Sequence, residues 1–96
     1  RVSRFTAKGD PPRADPKSEK VIIEWPNGGH NGGCLRFGPD GMLYIDTGDG
    51  SGIADSLETG QDISDLLASI LRIDVDGAPE GKGYAIPKDN PFVKTR

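Results

Sequence analysis

The chain has 96 residues, of which 33% are hydrophobic. Its 14 glycines and 8 prolines leave few large apolar side chains to form a core. This glycine and proline content in a short chain excludes a helical bundle and a coiled coil. No stretch approaches the roughly 18 uncharged apolar residues of a membrane span, so a span is excluded as well. We therefore expect a loop-rich β module that is one piece of a larger fold. Residues 1–20 carry six Lys/Arg and three Asp/Glu, whereas residues 21–96 carry six and twelve, and this acidic body excludes nucleic-acid binding.

The N-terminal part predicts two strands separated by a surface loop. Arg1–Ala7 alternates apolar and polar residues, Lys8–Lys20 contains three prolines, and Val21–Trp25 is rich in β-branched residues and ends at Pro26. The first strand starts at residue 1 with no turn before it, so we expect the chain to begin inside a fold. No charged segment followed by an apolar run marks a signal peptide.

The middle of the chain predicts a β-hairpin. Cys34–Phe37 and Met42–Thr47 are short apolar-rich runs, and Gly38–Gly41 between them reads Gly-Pro-Asp-Gly. Proline and aspartate favour such a turn, and the last glycine tolerates positive φ. Asn27–Gly33, with four glycines around one histidine, precedes the first strand as a loop.

The C-terminal part predicts one more strand between irregular segments. A long loop is expected over Gly48–Ser64, a helical turn over Asp65–Ile70, a strand over Leu71–Asp76 and an extended, proline-bounded tail over Tyr84–Phe92. Short strands with frequent turns favour a sandwich or a propeller.

Two sequence features argue against metal sites. Cys34 is the only cysteine, which excludes an intrachain disulfide and a cysteine-based zinc site, and we expect it to be a buried small hydrophobic residue. The acidic run Asp46–Ser51 does not match the spacing of an EF-hand loop. We therefore assign no metal ligand.

One histidine could carry chemistry. His30 lies among glycines that allow close backbone approach, and an imidazole in such a loop can act as a general base near neutral pH. The alternative is a loop histidine that only bonds to backbone. The hairpin would bring Asp49 near His30, where a carboxylate could orient the ring, and the alternative for Asp49 is capping of its own turn.

Four motifs occur in a fixed order along the chain: His30–Ile45 with Gly48–Gly50, Gln61–Asp62 with Leu66–Leu67, Ile70–Gly77, and Ile86–Phe92. Together they resemble the soluble quinoprotein glucose/sorbosone dehydrogenase family, and the resemblance is strongest over residues 21–92. It implies an all-β fold, with residues 1–96 as a partial segment of about one to two blades of a six-bladed β-propeller.

The resemblance also implies a function. Members oxidise the C1 hydroxyl of an aldose or a related sugar or alcohol, with hydride passing to pyrroloquinoline quinone (PQQ) at a site that also holds calcium. His30 falls at the catalytic base and Asp49 at its partner carboxylate, while Gln61 and Asp62 are weaker candidates for lining the substrate and cofactor. The parent is thus expected to be a PQQ-dependent sugar dehydrogenase, whereas the 96-residue fragment alone is expected to bind no cofactor and to be inactive.

A second interpretation is a non-catalytic propeller of the same superfamily, of the hedgehog-interacting type, used as a binding scaffold. Retention of both His30 and Asp49 favours the enzyme. The expected partners are a sugar substrate and an electron acceptor, with no nucleic acid and no membrane span. The family resemblance implies a periplasmic or extracellular location, and exposed strand edges would allow an oligomer.

Overall fold

The chain folds into small antiparallel β-sheets. The computed structural model describes residues 1–26, 28–51, 60 and 64–92, and these contain no α-helix. None of their helical segments has the length and apolar character needed to cross a membrane. The elements are β1 (Val2–Arg4), β2 (Ala7–Lys8), β3 (Arg13–Ala14), a 3-10 helix (Pro16–Ser18), β4 (Lys20–Ile23), β5 (Cys34–Phe37), β6 (Leu43–Asp46) and β7 (Ile70–Ile73).

The main sheet has three strands in the order β5–β6–β7, all antiparallel. The predicted turn connects β5 to β6: Gly41 has a φ of 80°, and its amide donates to the carbonyl oxygen of Gly38 at 3.0 Å. The carboxylate of Asp40 accepts from the Met42 amide and closes the turn. The hairpin predicted from the sequence is confirmed, and the all-β class of a propeller segment with it.

The strand register puts the large apolar side chains of this sheet on one face. Residues directly opposite one another in an antiparallel sheet point to the same side. Pairing across the three strands forms two rows of three apolar residues each, and the two rows together form the apolar face. The rows are Leu35, Ile45 and Leu71, and Phe37, Leu43 and Ile73.

A second sheet covers most of the apolar face. It consists of β1 and β4, and contributes the buried side chains of Val2, Ile22 and Ile23 to the core. Ile45, at the centre of the main sheet, is 1% exposed. The cover does not reach β5, because Leu35 and Phe37 are 50% and 65% exposed although they belong to the same face. The core therefore lies beneath β6 and β7.

Some local predictions were wrong. The proline-rich loop contains the β2–β3 hairpin and a 3-10 helix, which Asp15 caps by accepting from the Lys17 amide. Asp65–Ile70 forms no helix: its Asp65 carboxylate accepts from the amide two residues on, and Ala68 has a φ of 53°. Side-chain bonding of this kind competes with helical bonding. The following strand is Ile70–Ile73, shorter than predicted.

Cys34 is exposed, so the prediction of a buried cysteine was wrong. It lies on the edge strand β5, opposite Asp46, on the face that the second sheet does not cover. Alternation of residue types had placed Cys34 in a strand correctly. It could not show that the strand would lie at the edge of its sheet.

Candidate functional site

Two glycine-rich loops meet at the open end of the β5–β6 hairpin. Residues 28–33 precede β5 and residues 48–51 follow β6. The amide of His30 donates to the Ser51 carbonyl, that of Gly50 to the His30 carbonyl, and that of Gly48 to the Asn31 carbonyl, each at 2.8 Å. The two loops therefore continue the hairpin beyond its last regular pair, and this pairing sets the position of His30.

Close contact between the two backbones requires glycine. A Cβ atom built on Gly28 would collide with the carbonyl oxygen of Gly50, and one built on Gly48 would collide with that of His30. Neither obstacle is a movable side chain. We refer to these two loops, residues 28–33 and 48–51, as the glycine platform, since they provide a backbone surface from which a few side chains project.

His30 and Asp49 project from the glycine platform as neighbours. The Nδ1 atom of His30 lies 3.5 Å from Oδ1 of Asp49, at the outer limit of a hydrogen bond. The His30 side chain is 60% exposed and that of Asp49 is 21% exposed. The structure thus brings the two residues together as the sequence predicted, although it gives the imidazole an open setting.

The carboxylate of Asp49 also closes its own turn. Its Oδ1 accepts from the Ser51 amide at 3.0 Å. This hydrogen bond lowers the pKa of the Asp49 carboxyl below its ordinary value, and a protonated His30 lowers it further. Asp49 is consequently ionised at neutral pH, and it acts both as the turn cap and as the neighbour of the imidazole.

A shallow depression opens beside these residues. It has a volume of about 490 Å³ and is bordered by His30, Asp46, Asp49, Ser69 and Ile70. We call it the acidic depression, because its charged lining consists of the two carboxylates and includes no Lys or Arg among the described residues.

Thr47 connects the end of β6 to the segment before β7 at the acidic depression, and the sequence did not indicate this role. Its hydroxyl donates to the carbonyl oxygen of Leu66 at 2.7 Å and accepts from the Ser69 amide at 3.0 Å. Thr47 is 8% exposed. A threonine after the last strand residue gave no signal, since the partners are about twenty positions away.

Two candidate residues cannot be placed. Gln61 and Asp62 were weak candidates for lining a substrate and cofactor site, and both lie outside the described residues. Their roles stay predictions.

The comparisons with known proteins identify the family. The profile described as Glucose / Sorbosone dehydrogenase matches residues 1–96. The chain belongs to the glucose/sorbosone dehydrogenase family. The resemblance drawn from the four ordered motifs is therefore confirmed.

Within this family, curated relatives of two kinds resemble the chain. HIPL2 protein of Arabidopsis thaliana is 36% identical over 110 residues, covering 95% of this chain and 16% of the relative. Hedgehog-interacting protein of Mus musculus is 39% identical over 98 residues, covering 99% of this chain and 14% of the relative. HIPL1 protein of Arabidopsis thaliana is 44% identical over 72 residues, covering 66% of this chain and 10% of the relative. The chain thus spans about a sixth or less of these relatives.

The expectation that the parent is a PQQ-dependent sugar dehydrogenase was wrong. The relatives that resemble the chain across nearly its whole length are HIPL and Hedgehog-interacting proteins, which are not PQQ sugar dehydrogenases. Retention of His30 and Asp49 was taken to favour an enzyme. The structure gives Asp49 a second reason to be present, because its carboxylate accepts from the Ser51 amide and closes its own turn. His30 contributes to the glycine platform through its backbone, which does not require a histidine side chain.

Among the described residues, the acidic depression supplies no Lys or Arg for the quinone that the family resemblance implied. PQQ is a tricarboxylate, and a site for it must supply cationic groups. The depression instead presents Asp46 and Asp49, and its described lining has no Lys or Arg. The described part of the chain also has no group of three His, Cys, Asp or Glu that could hold calcium.

Proposed function

We propose that the chain is part of a β-propeller that serves as a non-catalytic scaffold for binding a protein partner. The observation that carries the proposal is the similarity to Hedgehog-interacting proteins of Mus musculus and Homo sapiens, both 39% identical over 99% of this chain. Because the name of these relatives states an interaction with Hedgehog, Hedgehog is the first partner to test. For a protein of this kind we propose an extracellular location.

The geometry of the site supports binding. The glycine platform is fixed by three backbone hydrogen bonds, so it can present His30 and Asp49 in a defined arrangement. Loops held on a rigid scaffold are common binding surfaces.

The proposal is tested by surface plasmon resonance with purified Hedgehog as the probe. We expect saturable binding, and we expect Asp49→Asn to weaken it about tenfold by removing a charge from the acidic depression. The control is Asp76→Asn, which makes the same charge change at an exposed residue outside the depression and should leave affinity unchanged. Absence of saturable binding would refute Hedgehog as the partner.

A second measurement addresses catalysis directly. The protein is mixed with PQQ, calcium, an aldose and a redox dye, and dye reduction is compared with the same mixture without protein. We expect no difference between the two mixtures. Sugar-dependent dye reduction that is lost in His30→Gln would overturn the non-catalytic assignment.

A further inference from the structure

Asn31 holds the first loop of the glycine platform through its side chain. Its Oδ1 atom accepts from the Gly28 amide at 2.8 Å, and its Nδ2 atom donates to the Gly28 carbonyl oxygen at 2.8 Å. Only one orientation of the carboxamide makes both bonds, because the reversed group would place donor against donor and acceptor against acceptor. The side chain of Asn31 therefore pairs with Gly28 as a neighbouring strand would.

The main chain of Asn31 holds the same loop against the second one. Its carbonyl oxygen accepts from the Gly48 amide at 2.8 Å. Any residue could make this backbone contact, whereas the contacts with Gly28 need a side chain that both donates and accepts at short reach. Aspartate has the same shape but, when ionised, no donor, and glutamine is longer by one carbon.

The position of the His30 ring depends on how this loop is turned. Within the described residues, the ring has its one ion pair or hydrogen bond with Asp49, 3.5 Å away. The backbone bonds of His30 to Ser51 and Gly50 fix where the residue lies. They leave the direction of the segment open, since glycines on both sides allow many backbone conformations. The carboxamide of Asn31 closes residues 28–31 into one turn and so directs the ring.

The same turn sets the spacing of the two loops. Gly28 packs directly on the backbone of Gly50, where a Cβ atom would collide. Asp49 precedes Gly50 in that second loop and is held there by its own bond to the Ser51 amide. Opening the turn at Asn31 would therefore move His30 relative to Asp49, because the two residues are held by different contacts.

We infer that Asn31 is the positioning residue of the binding site: its carboxamide holds the His30 ring beside Asp49. Asn31 acts through His30 and does not itself contact the partner. The inference rests on the proposed scaffold function and adds the residue that orders the side chains a partner meets. Without Asn31, the loop becomes ordered only when the partner binds, and this ordering lowers affinity.

A nuclear Overhauser cross-peak between the His30 ring and the Asp49 β-protons reports the position of the ring without any partner. We expect this cross-peak in the wild type and its loss in Asn31→Ala and Asn31→Asp. The aspartate variant keeps the size of the side chain and the acceptor, but it places a carboxylate oxygen against the Gly28 carbonyl. Unchanged amide signals from β5, β6 and β7 establish that both variants are folded.

An asparagine elsewhere in the chain provides the matched control. The Oδ1 atom of Asn90 accepts from the Phe92 amide at 2.8 Å and closes a turn away from the glycine platform. Asn90→Ala therefore removes a similar turn-closing side chain, and we expect it to leave the cross-peak between His30 and Asp49 unchanged.

A double-mutant cycle with Hedgehog tests whether Asn31 acts through His30. We expect Asn31→Ala and His30→Gln each to weaken binding about tenfold in surface plasmon resonance, and the double variant to bind about as weakly as either one. Independent contributions would instead multiply to a loss of about a hundredfold. Asn90→Ala should bind as the wild type does.

Two results would overturn the inference. One is a cross-peak between His30 and Asp49 that persists in Asn31→Ala, since the ring would then be held without the carboxamide. The other is a multiplicative loss in the cycle, since Asn31 would then act on the partner or on the fold by a route that does not include His30.

The two proposals fail separately. If the cross-peak depends on Asn31 as described and Hedgehog does not bind the wild type, the positioning role stands and Hedgehog is refuted as the partner. If Hedgehog binds the wild type and Asn31→Ala with equal affinity, the positioning role is refuted and the scaffold function stands.

Discussion

Ile45 and Leu35 face each other across β5 and β6, and they should respond differently to the same truncation. Both belong to the apolar face, but Ile45 is 1% exposed and Leu35 is 50% exposed. The second sheet covers the first residue and leaves the second at the edge. The pair therefore tests whether the core lies where the register places it.

The expected cost of Ile45→Ala follows from its burial. Three carbon groups at about 0.8 kcal/mol each give about 2.4 kcal/mol of lost transfer free energy. A cavity of roughly 75 Å³ that does not collapse adds about 1.8 kcal/mol at ~24 cal/mol per Å³. The total is about 2.4 kcal/mol if the cavity collapses completely and about 4.2 kcal/mol if it does not. Leu35→Ala removes the same number of carbons, but half of that surface already contacts water and no closed cavity forms, so about 1.2 kcal/mol is expected.

Urea unfolding followed by circular dichroism measures both free energies of unfolding. Similar slopes for the wild type and the two variants would show that the mutations change stability and not the extent of unfolding. The reasoning is refuted if Leu35→Ala costs as much as Ile45→Ala. That result would mean that β5 is covered as well as β6.

Two other perturbations test the surroundings of the site. Thr47→Val leaves the partly buried Ser69 amide without its hydroxyl acceptor and should cost about 1–2 kcal/mol in urea unfolding, whereas Thr47→Ser should cost less because it keeps the hydroxyl. Arg72 is the main cause of the lowered pKa of Asp89, so that carboxyl stabilises the fold at neutral pH and loses this contribution as pH falls below its ordinary pKa of 3.8. Arg72→Gln should therefore unfold at lower urea than the wild type at about pH 7, with the gap narrowing toward about pH 3; a gap independent of pH would contradict this linkage.

The sequence allowed the hairpin and its contacts to be predicted because they depend on local chemistry. Gly38–Gly41 specifies a tight turn whatever surrounds it, and a turn fixes the register of the strands on either side. That register predicts that His30 and Asp49 lie close together at the open end of the hairpin. Their separation of 3.5 Å agrees with that prediction.

Features that depend on distant neighbours could not be predicted. Cys34 is exposed because it lies on the face of the edge strand β5 that the second sheet does not cover, and the residues of β5 do not show which face another sheet will cover. The turn at Asp65 replaced a helix because its side chain bonds to the backbone of Leu67, a local option that competes with helical bonding. The enzymatic activity was misjudged because Asp49, a residue suited to catalysis, also has a structural role in closing its turn.

The contact between the two glycine loops has a consequence for how this family's sequences are interpreted. In this chain, Gly48 and Gly32 are required by the clearance between two main chains, and this requirement does not depend on hydride transfer. A His-Asn-Gly-Gly signature followed by Gly-Asp-Gly therefore indicates the backbone geometry of this hairpin and not an enzymatic activity. Glycines that are needed for a backbone contact carry no information about hydride transfer. Positions that distinguish dehydrogenases from binding proteins must therefore be sought among residues that this contact does not restrict.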